Sequence, residues 1–325
     1  AHPTFNELTW IDNTISTVDP LNIDSRVLAS DLNVQSGQVT FENGVVASGT
    51  FEISGDADVY VKGQLDASNV VLTGNGRLRV NDVVVLGDIT LEDQSTLVGS
   101  SADTVNNQIT PLTIIADEVV VGPDAKLDAT GRGYPAQITG PDYVNTSPKW
   151  GCHGGIRRNS TLEDCTYGDY KQPIHAGSGG VKSGAWSAYG GGVIQLTAQR
   201  LTVDGQLLAN GAGGNINSTQ HSAGAGGSIW IDVGTFEGAG EVAARGGDHN
   251  SNSTGPAGAG GRVAIYAETD AFTGELSAAS GARGAISGAG TVYRNIAGAE
   301  HLLVDNGGRP AIVGSTPIRS VGRHA

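Results

Sequence analysis

The chain has 325 residues, with 50 glycines, 33 acidic and 19 basic residues, a formal net charge of −14, no methionine and two cysteines. No apolar run reaches the ~18 residues of a membrane-crossing helix. An acidic balance with no basic patch argues against nucleic-acid binding, which rests on clustered Lys and Arg.

Residues 1–40 are polar with a few apolar anchors, Phe5, Leu8, Trp10 and Ile11, and read as an N-terminal capping segment. Starting at Ala1 without a charged-then-apolar leader, the chain reads as a mature product or an excised piece. From Phe41 onward apolar residues alternate with polar ones: Phe51 and Ile53, Val59 and Val61, Val70 and Leu72, Leu78 and Val80, Ile89 and Leu91. That period of two predicts strands with one buried face. Residues 112–130 open a repeating unit, with Ile114, Ala116 and Leu127 predicted to point inward. A long insertion follows at 131–190 and holds Cys152 and Cys165, which a secreted protein would pair as a disulfide.

The repeat is then explicit. Gly192-Val-Ile-Gln-Leu196, Gly227-Ser-Ile-Trp-Ile231 and Gly261-Arg-Val-Ala-Ile265 are each followed, 13 residues after the opening glycine, by Gly205-Gln-Leu-Leu-Ala209, Gly240-Glu-Val-Ala-Ala244 and Gly274-Glu-Leu-Ser-Ala278. Ile194, Ile229, Val263 and Val292 fall in one inward column, and Val193, Ser228, Arg262 and Thr291 in one outward column. The opening glycines lie 35, 34 and 29 apart, ending at Gly290. Glycine-rich excursions at 211–226, 246–260 and 281–289 leave from the same point of each unit. Arg294 stands where an aliphatic is expected. An unpaired arginine is not tolerated in a dry core, so the winding is predicted to fray, end or change register there. Residues 311–325 read as a tail or linker.

These phrases, with Gly131-Arg-Gly-Tyr-Pro135, Tyr167-Gly168, Gly177-Ser-Gly-Gly180, Gly290-Thr-Val-Tyr293 and Val304-Asp-Asn-Gly307, resemble glycine-rich parallel β-helix modules of large secreted bacterial surface, adhesin-like proteins. The expected fold is all-β: a single-stranded parallel β-helix (β-solenoid), right-handed, over 41–310, with glycine-rich loops projecting from one corner. The resemblance implies an extracellular or cell-surface setting and brings no catalytic motif.

Candidate chemistry lies between the repeats. His153, Arg157, Tyr167, Lys171 and His175 are the residue types a polysaccharide lyase uses as base and as carboxylate-neutralising cation. The plainer reading, which the absence of any recognisable spacing favours, is that they decorate a disulfide-tied polar loop. Asp56, Asp58, Asp117, Asp124 and Asp128 are candidate calcium ligands from stacked turns, against the plainer reading of a solvated acidic surface. Asn145, Asn159, Asn217 and Asn252 open Asn-x-Ser/Thr triplets suited to glycosylation. His221 and His249 lie in successive excursions. The expected function is a non-enzymatic structural or adhesive solenoid that self-associates head to tail, because residues 283–325 carry five Arg against two acids while the first half is acidic. The alternatives are a polysaccharide lyase or glycoside hydrolase at the 131–190 loop face, or a carbohydrate-binding module; the expected partners are a second copy of the chain, a polysaccharide or a cell-surface glycan.

Overall fold

The computed structural model describes residues 7–10, 13–85, 87–99, 102–103, 108–138, 140–141, 151–157, 165–180, 188–214, 222–249, 255–310 and 316–318. About half of the described residues lie in strands, and none lies in an α-helix. The strands are β1 (Glu7–Trp10), β2 (Asn13–Ser16), β3 (Leu21–Ile23), β4 (Arg26–Ala29), β5 (Leu32–Ser36), β6 (Gln38–Phe41), β7 (Val45–Ile53), β8 (Asp58–Leu72), β9 (Arg77–Val85), β10 (Asp88–Leu91) and β11 (Thr96–Gly99). They continue with β12 (Leu112–Val121), β13 (Lys126–Asp128), β14 (Val193–Val203), β15 (Gln206–Leu208), β16 (Ser228–Gly238), β17 (Glu241–Ala243), β18 (Arg262–Phe272), β19 (Glu275–Ser277), β20 (Thr291–Ile296) and β21 (Ala299–Leu303).

All of these strands belong to one open hydrogen-bonded sheet. Its pairing is parallel between segments one winding apart, and it runs in three ladders. Leu8 faces Val27, Val27 faces Val45 and Val45 faces Leu65 in the first. Leu32 faces Phe51 and Phe51 faces Val70 in the second. Val39 faces Val59 and Val59 faces Leu78 in the third. Each winding here takes about 19 residues, since Asp58 pairs with Arg77 and Arg77 with Thr96. The segment expected to cap the stack, 1–40, supplies β1 to β5 and most of β6 to these same ladders.

The expected later spacing is present in the register. Val193 faces Ser228, Ser228 faces Arg262 and Arg262 faces Thr291, which are steps of 35, 34 and 29 residues. The extra length of these later windings enters between the third ladder and the first, so Val193, Ser228, Arg262 and Thr291 stay in one column. Inside them the period of two puts every second side chain into one continuous apolar cluster running from Ile15 to Val292. Phe41 and Phe51 meet edge to face within it, and Phe236 stacks on Phe272 near its far end.

Arg294 keeps register with Ile265, so the parallel ladder does not slip there. The inward column of the second ladder changes one winding earlier, where Asp270 follows Phe236. Arg294 and Asp270 form an ion pair across the end of the core, with only 5% of the Asp270 side chain accessible. Parallel pairing stops at β20. The chain turns at Ala297 and Gly298, both at positive φ as in a two-residue type I′ hairpin, and β21 pairs antiparallel with β20 from Ile296–Ala299 to Val292–Leu303.

Candidate functional site

The long insertion does not hang free. Its described parts fold back over the first ladder and cover the column expected to face outward: Val193, Ser228, Arg262 and Thr291 are all buried. Arg262 shows why a charged residue can sit there. Its Nε and Nη2 donate to the Tyr167 carbonyl at 3.1 and 2.9 Å, and its Nη1 to Thr291 Oγ1 at 3.3 Å. Burial pushes its pKa down to about 10, so it stays charged at neutral pH. Ser228 Oγ donates to the His175 carbonyl at 2.6 Å, and Tyr266 Oη to the Lys171 carbonyl at 2.8 Å. The rungs thus grip the lobe through its backbone carbonyls.

The excursions and the lobe share a second kind of order. Along 222–227 successive N–H groups turn to three different neighbours. Ala223 and Gly226 donate to Pro256 and Ala259; Gly224 and Gly227 donate to Ala212 and Ala209; Ala225 donates to Ser178 of the lobe. The same pattern recurs one winding later. Ala257 and Gly260 donate to Ala285 and Gly288, Gly258 and Gly261 to Gly247 and Ala244, and Ala259 to Gly151 of the lobe. Donors three apart reaching one neighbour are the mark of a three-residue extended helix of polyproline II type, not of a strand. Such segments have no internal hydrogen bonds, so each must be satisfied by its neighbours, and here they satisfy one another. Close approach requires glycine: a Cβ on Gly258 would overlap the Gly224 carbonyl, and one on Gly260 the Ala278 carbonyl.

The candidate catalytic side chains lie within or against this packing. His153 is fully buried, its Nδ1 2.8 Å from the Gly226 carbonyl and its ring stacked on Tyr167 with centroids 4.7 Å apart. Desolvation, reinforced by the charge of Arg262, lowers its pKa to about 3, so the ring is neutral and Nδ1–H donates. Tyr167 Oη donates to the Ala176 carbonyl at 2.6 Å, and desolvation raises its pKa well above the usual phenol value. His175 meets Tyr167 edge-on at 6.3 Å. His153, Tyr167 and His175 are therefore brought together, with Arg262 beside them. Arg157 is buried elsewhere, its Nη1 3.3 Å from Ser222 Oγ. Lys171 lies at the lobe's edge, paired with Glu300 of β21 at 2.7 Å and set over the Tyr293 ring; the Glu300 partner raises its pKa. Cys152 and Cys165 are at disulfide distance, with sulfurs 2.22 Å apart.

The acidic candidates are not gathered. Asp58 is paired with Arg79 at 2.6 Å, and Asp128 accepts the Thr130 N–H at 2.7 Å. Asp56, Asp117 and Asp124 are exposed. No group of three potential metal ligands occurs among the described residues. His249 is buried in its excursion. Asn145, Asn159, Asn217, Asn252 and His221 lie outside the described residues. Sequence reasoning missed Arg262 as an anchor, because its reach to Tyr167 spans 95 residues.

No protein-family model, no curated protein and no solved structure matches this chain. No helix among the described residues is long and apolar enough to cross a membrane.

Proposed function

We propose that the chain is a right-handed, single-stranded parallel β-helix serving as a structural or adhesive module of a secreted bacterial surface protein. The observation that carries this reading is the use of the lobe's polar residues. The side chains of His153 and Arg157 bond to the neighbouring excursion at Gly226 and Ser222, the Tyr167 hydroxyl bonds to Ala176 within the lobe, and Lys171 ties the lobe to Glu300 of β21. A hydrolase or lyase needs such groups open to a sugar. The cysteine pair fits an oxidising compartment.

Turnover is the test. The purified chain is incubated with acidic and neutral polysaccharides, and new unsaturated or reducing ends are followed. None is expected. New ends formed by the wild type and lost in Lys171→Ala would replace the structural reading with a catalytic one. Filament growth is a separate extension of the proposal: it would join the edge of β1–β3 to β21, which covers β20 at the other end. Electron micrographs of concentrated protein decide it, filaments supporting head-to-tail stacking and single rods removing it.

A further inference from the structure

Residues 1–130 hold 19 acidic residues against five basic ones, and the sequence shows no basic run. The winding nevertheless collects four of those five on one face. Lys62, Arg77, Arg79 and Lys126 all fall on or beside the third ladder, and Arg132 joins them from the start of the lobe. Arg77, Thr96 and Lys126 are successive residues of one outward column, and Tyr60, Arg79, Val98 and Asp128 form the column next to it. The pKa of Arg132 is lowered first by burial and then by Arg77, with Asp128 opposing the shift and Arg79 adding to it, so these guanidinium groups lie within electrostatic reach of one another. Gathering like charges costs stability, and functional surfaces are where such costs concentrate.

Part of this charge is neutralised locally. Arg79 is paired with Asp58 and Lys62 with Glu42, and both cations lie over the Tyr60 ring. Arg77 and Lys126 have no ion pair among the described residues. They stand two ladder steps apart, about 9.5 Å along the stack. Beside them opens a cleft of about 620 Å³ lined by Gln94, Asp124 and Asp204 and by Thr96, Lys126, Gln206 and Glu241, which follow one another in that same outward column, with Gln206 Nε2 donating to Glu241 at 2.9 Å. A reason for the cleft is visible in the corners: four residues, 122–125, separate β12 from β13, but only two, 204–205, separate β14 from β15. The shorter corner sets back one winding relative to the one before it.

The geometry points to a binding site for an acidic polysaccharide laid along the stack, with spaced carboxylates or sulfates at Arg77 and Lys126 and sugar hydroxyls in the adjoining cleft. Amides, a hydroxyl and carboxylates suit sugar hydroxyls, which both donate and accept. Two free cations at this spacing suit a chain charged on alternate sugars. A nucleic acid fits less well: its uniformly spaced phosphates would meet Asp124 and Asp204, and Tyr60, the ring it would stack on, already lies under Lys62 and Arg79. The inference rests on the adhesive reading for its setting and names the ligand class of that surface.

The experiment titrates the whole chain, at about 0.15 M salt where long-range attraction is screened, with a heparin-derived hexasaccharide, a hyaluronan hexasaccharide, uncharged dextran and single-stranded DNA. At least one acidic oligosaccharide is expected to bind roughly tenfold or more tighter than dextran and DNA. The double variant Arg77→Gln/Lys126→Gln should lose that preference with an unchanged melting temperature, while Arg26→Gln, an exposed cation outside the patch, keeps it. Binding no tighter than dextran, equal binding of DNA, or retention in the double variant overturns the assignment. None of these outcomes bears on turnover, so this site and the structural reading fail separately.

Discussion

His153 and Arg262 show how a polar residue becomes structural. Both are buried, both bond to backbone carbonyls, and neither has a carboxylate partner among its hydrogen bonds. The cost of burying Arg262 is offset by three hydrogen bonds, and that of His153 by staying neutral. A pH dependence follows. The folded-state pKa of His153 is lowered from 6.5 to about 3, so the unfolded chain binds the extra proton and acid favours unfolding. The contribution of this residue is complete above about pH 6.5 and is lost as pH falls toward 3, by several kcal/mol and at most about 5. Thermal melts of the wild type and His153→Gln between these limits check it. The wild type should lose stability more steeply on acidification, and parallel curves would show that His153 does not titrate as argued.

Among the elements, the glycine-rich segments are set by backbone contact and not by side-chain burial. Gly258→Ala would force a methyl against the Gly224 carbonyl and should cost roughly 2–3 kcal/mol. Ala257→Gly, which removes a buried methyl from the neighbouring position, should cost about 1 kcal/mol. Urea unfolding of the two variants gives the ranking, and a milder effect at Gly258 than at Ala257 would contradict the packing described. The strands themselves were legible: Ile194, Ile229, Val263 and Val292 lie inward, and the 35, 34 and 29 spacing reappears in the register. The burial of Val193, Ser228, Arg262 and Thr291 was not, because their cover comes from the described parts of the 131–190 insertion, where the sequence shows no period. Nor was the three-residue order of the excursions, since alternating Gly and Ala carry no apolar face. The basic patch was hidden because its members are separated by up to 70 positions and meet only through winding. Asp270 gave no sign of pairing with Arg294, since the two belong to different ladders.

For the molecule as a whole, that pair closes the apolar core where the parallel ladder ends. Asp270→Asn leaves the Arg294 charge without its partner. With Arg294 partly exposed, the loss should be about 1–3 kcal/mol. Asp270→Leu/Arg294→Ile extends the columns of Phe236 and Ile265 and should melt within ~1 kcal/mol of the wild type. Calorimetry of both variants tests this, and a double variant less stable than Asp270→Asn would show that the ion pair does more than neutralise itself.

The lobe has a consequence for how the molecule comes apart. A stack whose windings touch only their neighbours melts progressively from its ends. Here the lobe bonds at once to three successive windings, through Ser178 with Ala225, Gly151 with Ala259 and Ile156 with Gly288. Those windings cannot open singly without stripping the lobe from the others. Amide exchange should therefore be graded from winding to winding through 13–99 but nearly uniform through 193–296, where the insertion acts as a clasp that makes cooperative what the repeat alone would leave sequential.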